Sequence, residues 1–178
     1  MKRMKTSGLF LVLVMLVSSL TFQSCSKYEE GPSISLRSKK ARLVNKWKID
    51  KMYKNGTEYT PTTEEQGIYS SMTFEFKDDN TFVQHVKITN SMGGITYTVV
   101  KDAIFDWDFN SDKTKVLFSN GRQKTTKSYN GQSTTNEGAM ENPNDEAEIL
   151  KLKNSELKLK FKANQNGDDI TIEFIPAD

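Results

Sequence analysis

Leu157-Lys158-Leu159-Lys160-Phe161-Lys162-Ala163 places an apolar side chain at every second position with lysine between. Successive side chains of a β-strand point to opposite faces, so a period of two marks a strand with one buried and one wet face. Asn164-Gln165-Asn166-Gly167-Asp168 then supplies turn residues, and Ile170, Ile172 and Phe174 resume the alternation against Thr171 and Glu173. This spacing predicts an antiparallel hairpin at the C-terminus, ended by Pro176.

The same pattern recurs upstream. Met72, Phe74 and Phe76 alternate with Thr73, Glu75 and Lys77, a turn follows at Asp78-Asp79-Asn80, and Phe82, Val86 and Ile88 return, with Gln84 interrupting the apolar face. Ile95, Tyr97 and Val99 form another strand, and Phe105, Trp107 and Phe109 alternate with Ile104, Asp106 and Asp108. Beyond Asn110-Ser111-Asp112 lies a strand around Val116 and Phe118, and Leu150 and Leu152 open the C-terminal group. Near the start, Trp47 and Ile49 lead a strand that turns at Asn55-Gly56, a strong hairpin dipeptide.

Leu36 to Val44 is rich in Lys, Arg, Ala and Leu and predicts a short helix whose Leu36, Leu43 and Val44 touch the sheet. Roughly eight to nine short strands, with turn residues between them and no βαβ alternation, argue for an all-β antiparallel sandwich or up-and-down barrel. Asn120 to Asn144 stands apart, with little apolar besides Tyr129, Ala139 and Met140. Such a composition predicts a long polar loop, disordered or acting as a lid or contact segment.

The N-terminus addresses the chain. Lys2, Arg3 and Lys5 precede an apolar run from Leu9 to Val17, the profile of a secretory signal. The run is too short to span a bilayer, which takes about 20 apolar residues. Ser24 and then Cys25, the single cysteine, end the segment. Phe22-Gln23-Ser24-Cys25 resembles the lipobox of bacterial lipoproteins, with Phe22 in place of the usual Leu, and the resemblance implies that residues 1–24 are removed and Cys25 is acylated. Several buried acyl chains, at about 0.8 kcal/mol per methylene, anchor a protein to a membrane essentially permanently. Residues 25–35, with Gly31, Pro32, Ser33 and Ser35, read as the lipidated cysteine and a flexible tether, and residues 36–178 as one domain. Ser26-Lys27-Tyr28-Glu29-Glu30 resembles the surface-export signal of lipoproteins in the Bacteroidetes; the alternative is a solvated tether at the periplasmic face.

Composition excludes several classes. Removing Lys2, Arg3 and Lys5 takes the formal charge from +2 to about −1, which leaves no electrostatic footprint for nucleic acid. With Cys25 acylated, the mature chain has no thiol for a disulfide, a metal site or a nucleophile. His85 is the single histidine and falls opposite Phe82 and Val86, on the solvent face, so nitrogen-ligated zinc is not expected. Asp106 and Asp108 share a strand face at the spacing of a glycosidase pair, but that face is the polar one. Asp78-Asp79-Asn80 lacks the spaced ligands of a calcium loop and reads as a turn.

The layout as a whole resembles the lipocalin-like lipoproteins of Bacteroidetes. The features that carry this are the short helix before Trp47, Phe74-Glu75-Phe76 with its Asp/Asn turn, Asp106-Trp107-Asp108, and the closing strands at Leu157 and at Ile170 to Ile175. The resemblance implies an up-and-down β-barrel of about eight strands with a short N-terminal helix. Classical members carry Gly-x-Trp where this chain has Asn45-Lys46-Trp47, and Asn can adopt the left-handed conformation in place of Gly. The Thr-Asp-Tyr loop motif and a late Arg near the closing strand are missing.

Of the large inward residues, Phe74, Phe82, Tyr97, Trp107, Phe118 and Phe161 are the candidate interior of a ligand site. An eight-stranded barrel is wide enough either to be filled by such side chains or to hold one small ligand. The expectation is thus a non-enzymatic lipoprotein of the outer membrane, with no catalytic residue, metal or cofactor, carrying a small apolar or amphipathic ligand. The alternative is an adaptor with a packed core that uses residues 120–144 or a sheet edge to join an envelope protein complex.

Overall fold

A computed structural model describes residues 37–140, 145–162 and 167–177. Cys25, the signal segment, the tether and Leu36 lie outside the described residues. Among those described, the chain is mostly β. Its ten strands are β1 (Asn45–Lys54), β2 (Thr57–Glu58), β3 (Met72–Phe76), β4 (Thr81–Met92), β5 (Ile95–Phe109), β6 (Lys115–Tyr129), β7 (Gln132–Ala139), β8 (Asp145–Leu152), β9 (Leu157–Phe161) and β10 (Ile170–Pro176). Two helices, α1 (Lys39–Leu43) and α2 (Thr63–Ser70), accompany them.

All pairings are antiparallel, and they close on themselves. The order β10-β9-β8-β6-β5-β4-β3-β1 returns through a β1–β10 pairing, so these strands form a ring, with β2 and β7 outside it. Inward faces follow the sequence alternation: Met72, Phe74 and Phe76 of β3, Leu157 and Leu159 of β9, and Ile172 and Phe174 of β10 are buried. Outward lysines find acids across the strands, Lys158 with Glu173 at 3.1 Å and Lys160 with Asp169 at 2.7 Å.

The two ends of the ring differ. Ser38 caps α1 by accepting the Ala41 N–H at 3.0 Å, and the helix lies across one end. From there Lys40 donates to the Asp78 carbonyl at 2.6 Å and to Asn80 Oδ1 at 2.7 Å, and Arg42 donates to the Leu152 carbonyl at 3.0 Å. Leu43 and Trp47 are fully buried beneath it, and the indole N–H of Trp47 donates to the Leu43 carbonyl. This end is plugged.

At the opposite end β4, β5 and β6 run on past the ring. The β3 pairing stops at Met72 and Val86, and the β8 pairing stops at Phe118 and Asp145. From Val86 to Met92 the strand climbs about 20 Å at the usual rise. Where β6 leaves the ring, Asn120 and Gly121 together face Phe105, a bulge in which Asn120 takes the left-handed φ of 55°. Bulges bend a strand and end its pairing with a neighbour. Beyond it β6 exchanges β8 for β7, and the four strands β4-β5-β6-β7 form an arm.

Three elements differ from the sequence expectation. Asn120 to Asn144 is not a long loop: residues 120–129 belong to β6, which pairs with β7 (Gln132–Ala139) through the turn Asn130-Gly131, at φ 46° and 81°. Positive φ at both residues is the two-residue hairpin turn. A strand wet on both faces has no apolar alternation, so periodicity does not register it. Residues 141–144 lie outside the described part.

Asn45 does not adopt a left-handed conformation; it opens β1 opposite Phe76. The chain also has a second helix. Gln66 N–H donates to the Thr62 carbonyl at 2.8 Å at its start, and Ile68 and Tyr69 pack on the core. Thr62-Thr63-Glu64-Glu65 carries the Thr-x-x-Glu spacing of a helix start, a signal outweighed by the weak apolar pattern that follows.

Candidate ligand cavity

The interior is filled at one end and hollow at the other. Near α1 the rings interlock: Phe76 to Phe82 at 4.7 Å, Phe82 to Phe118 at 4.9 Å, and Phe76 to Trp107 at 5.5 Å and nearly perpendicular. Tilted and edge-to-face pairs at such spacings are favourable beyond their area. The indole of Trp107 donates to the Lys77 carbonyl at 3.3 Å, and the Lys40 ammonium lies 5.9 Å from its ring centre. The packed rings leave this half solid.

Above it lies a cavity of about 650 Å³. Its floor is Phe74, which meets Phe174 edge-on at 5.0 Å. Its walls are Ile49 and Met52 of β1, Met72 of β3, Gln84 of β4, Phe105 of β5, Phe161 of β9, and Ile170 and Ile172 of β10. Tyr69 of α2, Met140, Asp145 and Lys162 stand at the mouth. A groove of about 390 Å³ shares Met52, Tyr69 and Ile170 with the cavity and continues past Tyr53, Lys54 and Tyr59. Tyr69 therefore stands where the two join.

The polar groups are few. Gln84, which interrupts the apolar period of β4, points into the cavity and approaches the Met72 sulfur at 3.2 Å. Lys162 turns from the lip to the outer face, where it bonds Glu146 at 2.6 Å and Lys115 bonds the same carboxylate at 3.0 Å. The hydrogen bond from Lys162, and then that from Lys115, holds the Glu146 carboxyl below its ordinary value of 4.5. Glu146 in turn raises Lys162 above 10.5. Both stay charged at neutral pH, so a fixed ion pair stands beside the mouth.

The expected site residues divide. Phe74 and Phe161 line the cavity, whereas Phe82, Trp107 and Phe118 belong to the filled half. Tyr97 is a correction: it sits on the arm opposite Asn90 and Tyr129 and is 37% exposed. Its parity is inward, but parity fixes a face and not a height along the strand. Ile49, Met52 and Tyr69 are additions to the expected lining, and Tyr69 is hidden from sequence reading together with its helix.

The remaining polar candidates have local partners. His85 stands outward and bonds Asp102 at 2.6 Å across the strands. Asp106 accepts from the Asn120 amide at 2.6 Å, and Asp108 from the Phe109 N–H at 2.7 Å. Asp79 accepts the Thr81 N–H in a turn that Asn80 completes at φ 66°. Among the described residues no cluster of three or more His, Cys, Asp or Glu could hold a metal ion, and no helix is long and apolar enough to cross a membrane. Comparison with protein-family profiles, curated protein sequences and solved structures returned no match.

Proposed function

We propose that this chain is a lipid-anchored, lipocalin-like β-barrel protein of the bacterial outer membrane that holds a small amphipathic molecule in the open half of its interior. The observation that carries this is the cavity: its volume of about 650 Å³ falls within the range of about 300–1,000 Å³ that small-molecule sites occupy. Its chemistry suits one class of occupant. An apolar tail meets Phe74, Phe105 and Ile172, a hydrogen-bonding group reaches Gln84, and a polar head stays with Lys162 and Asp145 at the mouth. No reaction, metal or cofactor is assigned to the chain.

Anchoring through Cys25 rests on the sequence alone. Given that anchor, the tether enters at α1, and its dozen or so residues reach at most about 40 Å. Ser26 to Glu30 supports display at the cell surface, which protease shaving of intact cells tests.

Native mass spectrometry of the protein extracted from its own host is the deciding experiment. A reproducible small-molecule adduct is expected, and it should vanish in Ile172→Trp, which fills the cavity. A clean unliganded mass with a co-purifying protein would instead favour an adaptor in an envelope complex.

A further inference from the structure

The two edges of the arm are built differently. On one, β4 shows Lys87 to solvent and α2 packs beside the strand. The other is β7, whose residues Gln132–Ala139 are all exposed. They include no Lys and no Pro, and the register with β6 has no bulge. Among the described residues no strand lies on the outer side of β7. Charged side chains, lysine above all, proline, bulges or a covering element are the usual means by which proteins keep a free edge from pairing, and β7 has only the single charge of Glu137 within its length.

Its main chain is set for pairing. The Asn130-Gly131 turn makes the flanking Tyr129 and Gln132 a hydrogen-bonded pair, and the Met140 N–H donates to the Gly121 carbonyl at 3.0 Å in the same phase. Even-numbered residues therefore bond β6. Alternation turns the N–H and C=O groups of Ser133, Thr135, Glu137 and Ala139 outward.

The side chains on the outer face run in rows across the arm. One row is His85, Asp102, Lys124 and Glu137, alternating in character from strand to strand and ending on an acid at the free edge. The next rows are hydroxyls: Thr126 meets Thr135 at 2.9 Å, and Ser128 meets Ser133 at 2.8 Å. A further strand continues this pattern with a cation beside Glu137. β7 itself contains no Lys or Arg, so a second β7 strand could not supply one.

We infer that the outer edge of β7 takes up an extended segment of a partner protein as an added strand, with a Lys or Arg of that segment opposite Glu137. Main-chain bonds to Ser133, Thr135 and Glu137 provide the docking, and the ion pair provides the register, as in other strand-addition interfaces. This inference is independent of the cavity and of its contents.

Two synthetic eight-residue peptides of alternating Thr and Val, identical except for Lys or Glu at a central position, test it on the full-length mature chain in detergent. Amide exchange at Ser133, Thr135 and Glu137 should slow with the Lys peptide, which should bind about fivefold more tightly than the Glu peptide. Glu137→Lys should reverse that preference. Thr135→Pro, which removes an outward N–H and leaves the bonds to β6, should abolish binding of both peptides while the β6 amides stay protected. Equal affinity for both peptides, unchanged exchange along β7, or a concentration-dependent dimer of the chain paired through β7 would each overturn the inference.

Discussion

Glu146 receives two lysines on the outer face of the ring, and such pairs tie the stability of the fold to pH. Four carboxylates among the described residues are held below their ordinary values: Glu146 by the hydrogen bond from Lys162, Glu156 by that from Lys151, Asp168 by those from Lys54 and then Asn55, and Asp79 by the Thr81 N–H. A depressed carboxylate contributes stability that is complete above its unfolded value and is lost as pH falls through the lower folded one. The unfolding temperature should therefore drop as pH goes from about 5 to about 3. Glu146→Gln should flatten that slope, and a slope equal to wild type would show that this cluster does not matter to the fold. Lys162 behaves in the opposite sense, its contribution persisting up to 10.5 and fading only as pH rises through its raised value.

Trp47 is the residue on which the plugged end depends. It is fully buried on β1 beneath α1, and its N–H is bonded. Trp47→Ala should cost about 3–5 kcal/mol, a large share of a typical domain's stability of about 5–15 kcal/mol. The denaturant midpoint measures it. At this scale the sequence is informative about direction: Phe74, Phe82, Trp107, Phe118 and Phe161 all point inward as their parity requires. It does not say which of them pack ring to ring and which border empty space, because that depends on where each strand crosses the ring.

Among the elements, the ring strands are legible in the sequence and the arm is not. Most ring strands carry apolar residues at alternate positions along the buried stretch, because one face meets the core; Gln84 in β4 and the register shifts after Ile49 in β1 and Ile149 in β8 break the period. β7 and the outer half of β6 bury neither face, so apolar alternation is absent there. What remains to mark them as strands is the β-branched Thr125, Thr126, Thr134 and Thr135 with the Asn130-Gly131 turn between. Gly131, at φ 81°, holds that turn. Gly131→Val would force a branched side chain into the left-handed conformation at a cost of about 1–2 kcal/mol. Amide exchange should then speed up at Thr134 and Lys127 while Trp47 and Leu159 stay protected; equal acceleration throughout would mean that the arm and the ring unfold as one unit. α2 is illegible for a related reason: its eight residues bring Ile68 and Tyr69 to the core, too few apolar positions to set a helical period.

For the molecule as a whole, closure is the feature that matters. β1 lies between β3 and β10, with Trp47 opposite both Phe74 and Pro176, and the Ala177 N–H adds a bond to the Lys46 carbonyl at 2.8 Å. A ring plugged by α1 and open beneath α2 divides the interior into a solid half and a hollow half. Whether the interior is filled or hollow, which the sequence leaves open, is thus answered by both, at different heights. Membrane attachment is tested separately: Cys25→Ala should move the protein from the membrane fraction to the soluble one, and retention in the membrane would remove the lipid anchor from the account.

The division of the interior is most directly tested by titrating the protein with dodecanoate and following side-chain methyl resonances by NMR. The account predicts shifts at Met52, Met72, Ile170 and Ile172, which border the cavity, and none at Leu43, Val116 or Leu152, which plug the other end. Shifts spread evenly over both groups, or none at saturating dodecanoate, would contradict it.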